Sequence, residues 1–287
     1  MITQSGMFLR LRKKITVFNL VVVLFTFGFL VFFLFPLYWQ VATSFKTREN
    51  AFKIPPQLFP DPLTLDRYRW VFHNTPFPLN VRNSLIVSSF TTIICLVFST
   101  LASYALARLQ LPGSKTIMLG VLICSMLPAV SIIGPLYLMF KEFRLINSFL
   151  GLGIAYTAFF LPFTMWFLTS FFKTLPVELE EAAEIDGCTP FQTLYQIMIP
   201  LSAPAIFTVL MMVFIFSWNE YLFSFTFMST DPVRTYPVGL VMLQGLWEMP
   251  WCEISAASTV VVIPIVVLVL VAQKYIIQGL TAGALKG

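Results

Sequence analysis

The chain has 287 residues, of which 58% are hydrophobic and 11% charged, and its mean hydropathy is +0.85. A soluble domain covers its surface with about 25% charged residues, so this composition excludes a soluble globular protein. The formal net charge of +5 is spread between apolar stretches rather than gathered in one patch, which suits phospholipid surfaces and excludes a nucleic-acid-binding face.

A transmembrane helix needs roughly 20 mostly apolar residues to cross about 30 Å of hydrocarbon. Six runs of that kind, free of Asp, Glu, Lys and Arg, follow one another: 15–45, 83–107, 116–140, 145–172, 201–219 and 254–273. The fifth resumes after Glu220 and continues through Met228. Lipid offers the backbone no hydrogen bonds, so all six are predicted as helices of an all-α, polytopic membrane protein. The first run follows Arg10, Arg12, Lys13 and Lys14, like a signal peptide. It is too long for one, and no small-x-small cleavage site follows before Pro36, so it reads as a retained span. Pro128 and Pro135 in the third run, Pro162 in the fourth and Pro264 in the sixth predict kinks that serve packing or gating. The basic residues divide nine against nine between the two sides. The four ahead of the first span decide for an N-terminus inside. The resulting organisation is an N-terminal tail over 1–14, a membrane domain over 15–277 and a C-terminal tail over 278–287.

Three connections are longer than the rest. The segment 46–82 is rich in proline and aromatics, which predicts an ordered, irregular external segment. The segment 230–253 holds Tyr236, Pro237, Trp247 and Trp251, residues that settle at a membrane interface. The four cysteines are scattered without a CxxC pair, and the single histidine, His73, stands alone, so neither a zinc site nor a disulfide framework is predicted. The third connection, 173–200, is acidic: it holds five carboxylates and no basic residue after Lys173. Pro176 followed by Glu178, Glu180 and Glu181 is a helix start, since proline fits a first turn and carboxylates favour the positive end of the helix dipole. Gly187 stops that helix. Thr189-Pro190 then opens a second short helix that runs to Pro200. An acidic helix at a lipid surface is repelled by anionic headgroups, so it is better explained as a docking element for a basic protein partner.

The run Glu181-Ala182-Ala183, with Asp186-Gly187 after it and Ile199-Pro200-Leu201 further on, resembles the EAA loop of ABC importer permeases. Pro36, Trp39, Ser44-Phe45-Lys46, Asn83-Ser84 and Trp218-Asn219-Glu220 are similar to the carbohydrate-uptake branch of that family. The closing stretch 279–287 resembles the tail of the maltose-type second permease subunit. The resemblance spans nearly the whole chain. It implies a type I importer permease fold with six transmembrane helices, and a cytoplasmic coupling helix that inserts into a cleft of an ATPase subunit. It places the protein in a bacterial inner membrane with both termini in the cytoplasm. Its partners would be a second homologous permease, an ATPase dimer, an extracytoplasmic solute-binding protein and membrane lipid.

By that resemblance Glu181 pairs with a basic residue of the ATPase, Ala182 and Ala183 permit close approach, and Gly187 permits the turn. Glu178, Asp186 and Pro200 belong to the same coupling element, and Glu178, Glu180 and Glu184 read equally well as a solvated acidic face. Gly283, Lys286 and Gly287 either enter the ATPase dimer interface or form a frayed end. Trp218, Asn219, Glu220 and Tyr221 either contact solute, amide and carboxylate beside stacking rings, or hydrogen-bond within the chain. No catalytic residue and no metal ligand is expected. With no GxxxxGK[ST] phosphate loop in the sequence, the chain binds no cofactor of its own, and ATP with its magnesium falls to the partner ATPase. Three rival readings remain. An ABC permease for a non-carbohydrate solute would share the EAA loop. A stand-alone secondary transporter would want ionisable residues deep in several spans, and a membrane enzyme would want a cluster of catalytic side chains.

Overall fold

The computed structural model describes residues 17–109, 111–245 and 249–284. Besides short turns of helix at Arg48–Ala51 and Asp231–Val233, its helices are α1 (Val17–Ser44), α2 (Asp66–Asn74), α3 (Phe77–Arg108), α4 (Ser114–Ser125), α5 (Ala129–Glu142), α6 (Phe149–Phe172), α7 (Glu178–Ile185), α8 (Pro190–Leu201), α9 (Ala203–Asn219), α10 (Leu222–Phe227), α11 (Tyr236–Met242) and α12 (Trp251–Ala284). No strand occurs among the described residues. Four helices, α1, α3, α6 and α12, are long and apolar enough to cross a membrane unbroken. Two bent pairs, α4 with α5 and α8 with α9, bring the number to six if each pair is one span.

The first bend falls in the third run, where Pro128 and Pro135 predicted a kink, and the second, which the sequence did not signal, stands at the start of the fifth. The α4–α5 pair turns through 93°. Pro128 stands in extended conformation immediately before α5, where its missing N–H and its ring prevent one helix from running on into the next. The α8–α9 pair turns through 80° at Ser202. The fifth span also ends at Asn219, because Glu220 adopts extended backbone, and the apolar continuation forms the separate helix α10. Pro135, Pro162 and Pro264 lie inside α5, α6 and α12. The second span begins at Phe77, ahead of Asn83, and the last helix runs past Gln273 to Ala284.

The chain forms two compact units. One comprises the residues up to Tyr68 together with Pro250–Thr259. Within it α1 leaves its most apolar stretch wholly unburied, an arrangement that suits acyl chains or a second membrane chain rather than water. At the end of α1, Lys46 is buried, with its ammonium 3.9 Å from the centre of the Trp39 ring and donating to the Gln57 carbonyl at 2.7 Å. Glu253, in the first turn of α12, is fully buried, and its Oε1 accepts from Arg48 Nε at 2.9 Å and Arg67 Nη1 at 3.1 Å. Burying that carboxylate is tolerable because two guanidinium groups pair with its Oε1.

The other unit comprises Arg69–Met249 and the residues from Val260 onward. There α3 packs along α6, and α9 packs on both. Lipid tails are as apolar as leucine, so helices in a bilayer associate through small and hydroxyl-bearing side chains rather than through hydrophobic burial. The buried residues of α3 follow that rule: Ser84, Ser88, Thr91, Thr92, Ser99 and Ser103 are all buried. Ser103 Oγ donates to the Met165 carbonyl of α6 at 2.9 Å. Gly153 of α6 admits the Phe90 ring, since a Cβ there would come within 2.4 Å of it. Phe172, Leu168, Met198 and Val213 close the core toward α8 and α9.

Candidate functional site

The acidic connection folds as its residues dictate, with one shift at its start. α7 begins at Glu178 behind Val177, so Pro176 precedes the cap rather than entering the first turn. Glu178, Glu180 and Glu181 occupy that turn, against the positive end of the dipole. At the other end Gly187 takes φ +81°. Its N–H donates to Glu184 O at 3.0 Å and the Cys188 N–H to Ala183 O at 2.9 Å, a Schellman closure. Thr189 and Gln192 then form a reciprocal capping box that starts α8. Leu194–Met198 within α8 is a π-turn, and Pro200 sits in its last turn.

What seats α7 is Arg108, the last residue of α3, which sequence reasoning did not single out. Its Nη2 donates to the Phe172 and Leu175 carbonyls, each at 2.7 Å, and so ties the end of α6. Its Nε stands 2.9 Å from Glu180 Oε1. The two atoms form an ion pair without hydrogen-bond alignment. The side chains are 6% and 18% exposed. Burial raises the Glu180 carboxyl above its ordinary pKa, and the Arg108 charge pulls it the other way. Glu180 therefore belongs to the chain's own interior side, whereas Glu178, Glu181, Glu184 and Asp186 are exposed. Among the described residues no ion pair joins any of those four. Ile185 stands 87% exposed in their midst. The two alanines separate: Ala182 is exposed and Ala183 is buried within the chain. The only sequence signal for Arg108 was a cation ending a span that returns to the same side as an acid-rich loop.

The second candidate cluster is organised by hydrogen bonds within the chain. Trp218 is fully buried, its ring centroid 5.7 Å from Phe214 and 4.8 Å from Tyr236, and its Nε1 has no hydrogen-bond partner among the described residues. Asn219 donates to the Ile215 carbonyl at 2.8 Å and accepts from the Tyr236 hydroxyl at 2.7 Å. The two oxygens of Glu220 accept from the Phe223 and Ser224 N–H groups, at 2.9 and 3.2 Å, and so satisfy the start of α10. Tyr221 is exposed and stacks on Phe225 at 5.3 Å. The neighbouring segment is pinned by residues from far away in sequence. Asn83 Nδ2 donates to Pro232 O at 2.9 Å and Arg234 O at 3.0 Å, and Ser84 Oγ accepts from Tyr236 N–H at 2.8 Å. Asn147, at φ +57°, accepts from Ser229 and Thr230. Gly283 lies within α12, while Lys286 and Gly287 lie outside the described residues.

Comparison with known proteins gives this arrangement a family. Residues 99–281 match the model described as binding-protein-dependent transport system inner membrane component. The chain is 39% identical to a trehalose/maltose transport system permease protein of Thermococcus litoralis, over 88% of this chain and 92% of that one. It is 38% identical to a sulfoquinovosyl glycerol transport system permease protein of Agrobacterium fabrum, over 88% and 89%. A trehalose transport system permease protein of Mycobacterium tuberculosis is 35% identical, over 88% and 93%. In fold the chain is similar to a solved chain of a bacterial ABC transporter involved in the import of the acidic polysaccharide alginate. That likeness has a TM-score of 0.78 at 20% identity and covers 92% of this chain and 98% of that one. Bent and unbroken apolar helices, an acidic helix held at the end of α3, and these matches converge: the chain belongs to the family of inner membrane components of binding-protein-dependent transport systems.

Proposed function

We propose that this chain is a membrane-spanning permease subunit of an ATP-driven importer that carries a sugar, oligosaccharide or polyol-type solute delivered by an extracytoplasmic binding protein. The observation that carries the reading is α7, an acidic helix with exposed carboxylates at Glu178, Glu181, Glu184 and Asp186 and an exposed Ile185, seated on the chain by Arg108. A basic cleft on an ATPase subunit complements that charge, and Ile185 gives the cleft an apolar anchor. The solute class is supported by the relatives named for trehalose, maltose and sulfoquinovosyl glycerol transport, which match over most of their length. In this reading α7, α8 and both termini are cytoplasmic. A second homologous permease completes the pathway, and an ATPase dimer handles ATP and its magnesium.

The coupling follows from the hydrogen bonds. Closure of the ATPase dimer pushes α7. Arg108, fixed to two carbonyls at 2.7 Å and to Glu180 at 2.9 Å, leaves little slack between α7, the end of α6 and the end of α3, so the three are displaced together. Affinity purification in mild detergent tests the reading. The wild-type chain brings down an ATPase with a phosphate loop and a second multi-span chain, and Glu181→Lys loses the ATPase while keeping the second permease. A wild-type chain that purifies alone, or a variant that retains the ATPase, refutes the docking role.

A further inference from the structure

α3 has 32 residues, about 48 Å at 1.5 Å per residue, so its first turn and Arg108 stand on opposite sides of a bilayer. Beside that first turn lies a cavity of about 370 Å³ lined by Trp70, Asn74, Asn80, Asp231, Arg234 and Gly239, among others. We propose that this cavity is a subsite for a hydroxylated solute, a sugar ring or polyol, on the side of the permease remote from α7. The proposal rests on the importer reading above and deepens it.

Asn80 carries the argument. It is 2% exposed, and its Oδ1 accepts no hydrogen bond. Asn83 Oδ1 is likewise unpaired, but the Asn83 amide nitrogen and Asn147 hold the segment from Ser229 to Arg234, and Asn219 holds Tyr236; of these amides only Asn80 lines the cavity. A buried amide oxygen left without a donor is costly, and a hydroxyl supplies one. The position is also kept open. A Cβ on Gly239 would fall 2.1 Å from Asn80 Nδ2 and 2.9 Å from its Cγ, so only glycine leaves room for that amide. Trp70 adds an indole face of the kind that takes the C–H side of a sugar ring, and the Arg234–Asp231 ion pair adds donors and acceptors at the rim. The volume falls within the range of about 300–1,000 Å³ common for small-molecule sites. The two cavities beside Pro162 and beside Tyr195 have linings dominated by apolar side chains and lack a buried unpaired amide, so they offer a hydroxylated solute far less.

The test uses the wild-type complex with its partner subunits in lipid nanodiscs and free maltose, trehalose and mannitol as probes. Saturation-transfer-difference NMR reports contact, and hydrogen exchange over 70–80 and 231–243 reports its place. A wild-type signal with protection of those segments is expected, and Asn80→Leu weakens it about tenfold, the equivalent of losing roughly 1.4 kcal/mol. Trp70→Ala, at a position 37% exposed, weakens it similarly and guards against a folding artefact in the first variant. No transfer to the wild type, or equal transfer to wild type and both variants, overturns the subsite. So does an unchanged saccharide signal with a weakened response only to the solute-binding protein, which assigns the cavity to a protein contact. Vesicle uptake separates the two failures. ATP-driven saccharide import without a signal sinks the subsite alone, and absence of import with no ATPase copurifying sinks the importer reading.

Discussion

Replacing Arg108 by alanine removes a side chain that joins the ends of α3 and α6 to α7. The guanidinium donates to two carbonyls at 2.7 Å and pairs with Glu180 at 2.9 Å from a position 6% exposed. Each hydrogen bond to a charged donor contributes about 1.5–3 kcal/mol, and the freed carbonyls partly regain water. Loss of the ion pair adds less than a fully buried pair would, because Glu180 keeps 18% of its surface and relaxes by protonation. The seat of α7 is then weakened by about 3 kcal/mol, some 100-fold in the population of detached helix. Hydrogen exchange across 173–200 should rise by that factor. In proteoliposomes, ATP hydrolysis should persist while solute movement per ATP falls. Arg108→Lys should recover only part, since an ammonium cannot hold two carbonyls and a carboxylate in one plane. Unchanged exchange over 173–200, or unchanged coupling in Arg108→Ala, would refute the argument that this residue transmits the motion.

Three further outcomes follow from the same geometry. Because burial lifts the Glu180 carboxyl above its ordinary value, the folded seat binds a proton more readily than the unfolded chain, and its stability falls as pH rises through that window. Protection of 173–200 in the wild type, measured relative to Glu180→Gln, should therefore fall from acid toward neutral pH, and a rise would reverse the sign and sink the assignment. Gly187→Val forces a β-branched residue to φ +81°, costing about 1–2 kcal/mol or more; Gly187→Asn costs less, so ATPase recovery on affinity purification should rank glycine, asparagine, valine. Glu253→Ala leaves Arg48 and Arg67 without their shared carboxylate. The loss should sit near the lower end of about 3–5 kcal/mol because Arg48 is 54% exposed, and it is read as a drop in unfolding temperature in detergent that Glu253→Gln only partly shares.

Much of this was written locally in the chain. The acidic helix, its stop at Gly187 and the restart at Thr189 needed only neighbouring residues, because caps and αL turns are set within a few positions. The direction of the fifth span was less legible: Glu220 interrupts an apolar run, and the sequence alone does not reveal that its carboxylate caps α10 and ends α9. Trp218 read either as a ring for a solute or as part of the chain's own packing, and only the tertiary structure sets it beside Phe214 and Tyr236.

Composition and periodicity by themselves determined the membrane class, the helical fold and the placement of the apolar runs, since a bilayer leaves the backbone no alternative. The same residues marked the family through the EAA-like loop. Tertiary structure decided which acids face outward and which is held by Arg108, which amides pin the segment 229–236, and where the Asn80 amide oxygen is left without a donor. Those are contacts between positions far apart in sequence, and an ion pair or an unpaired amide becomes defined only when helices from different parts of the chain come together.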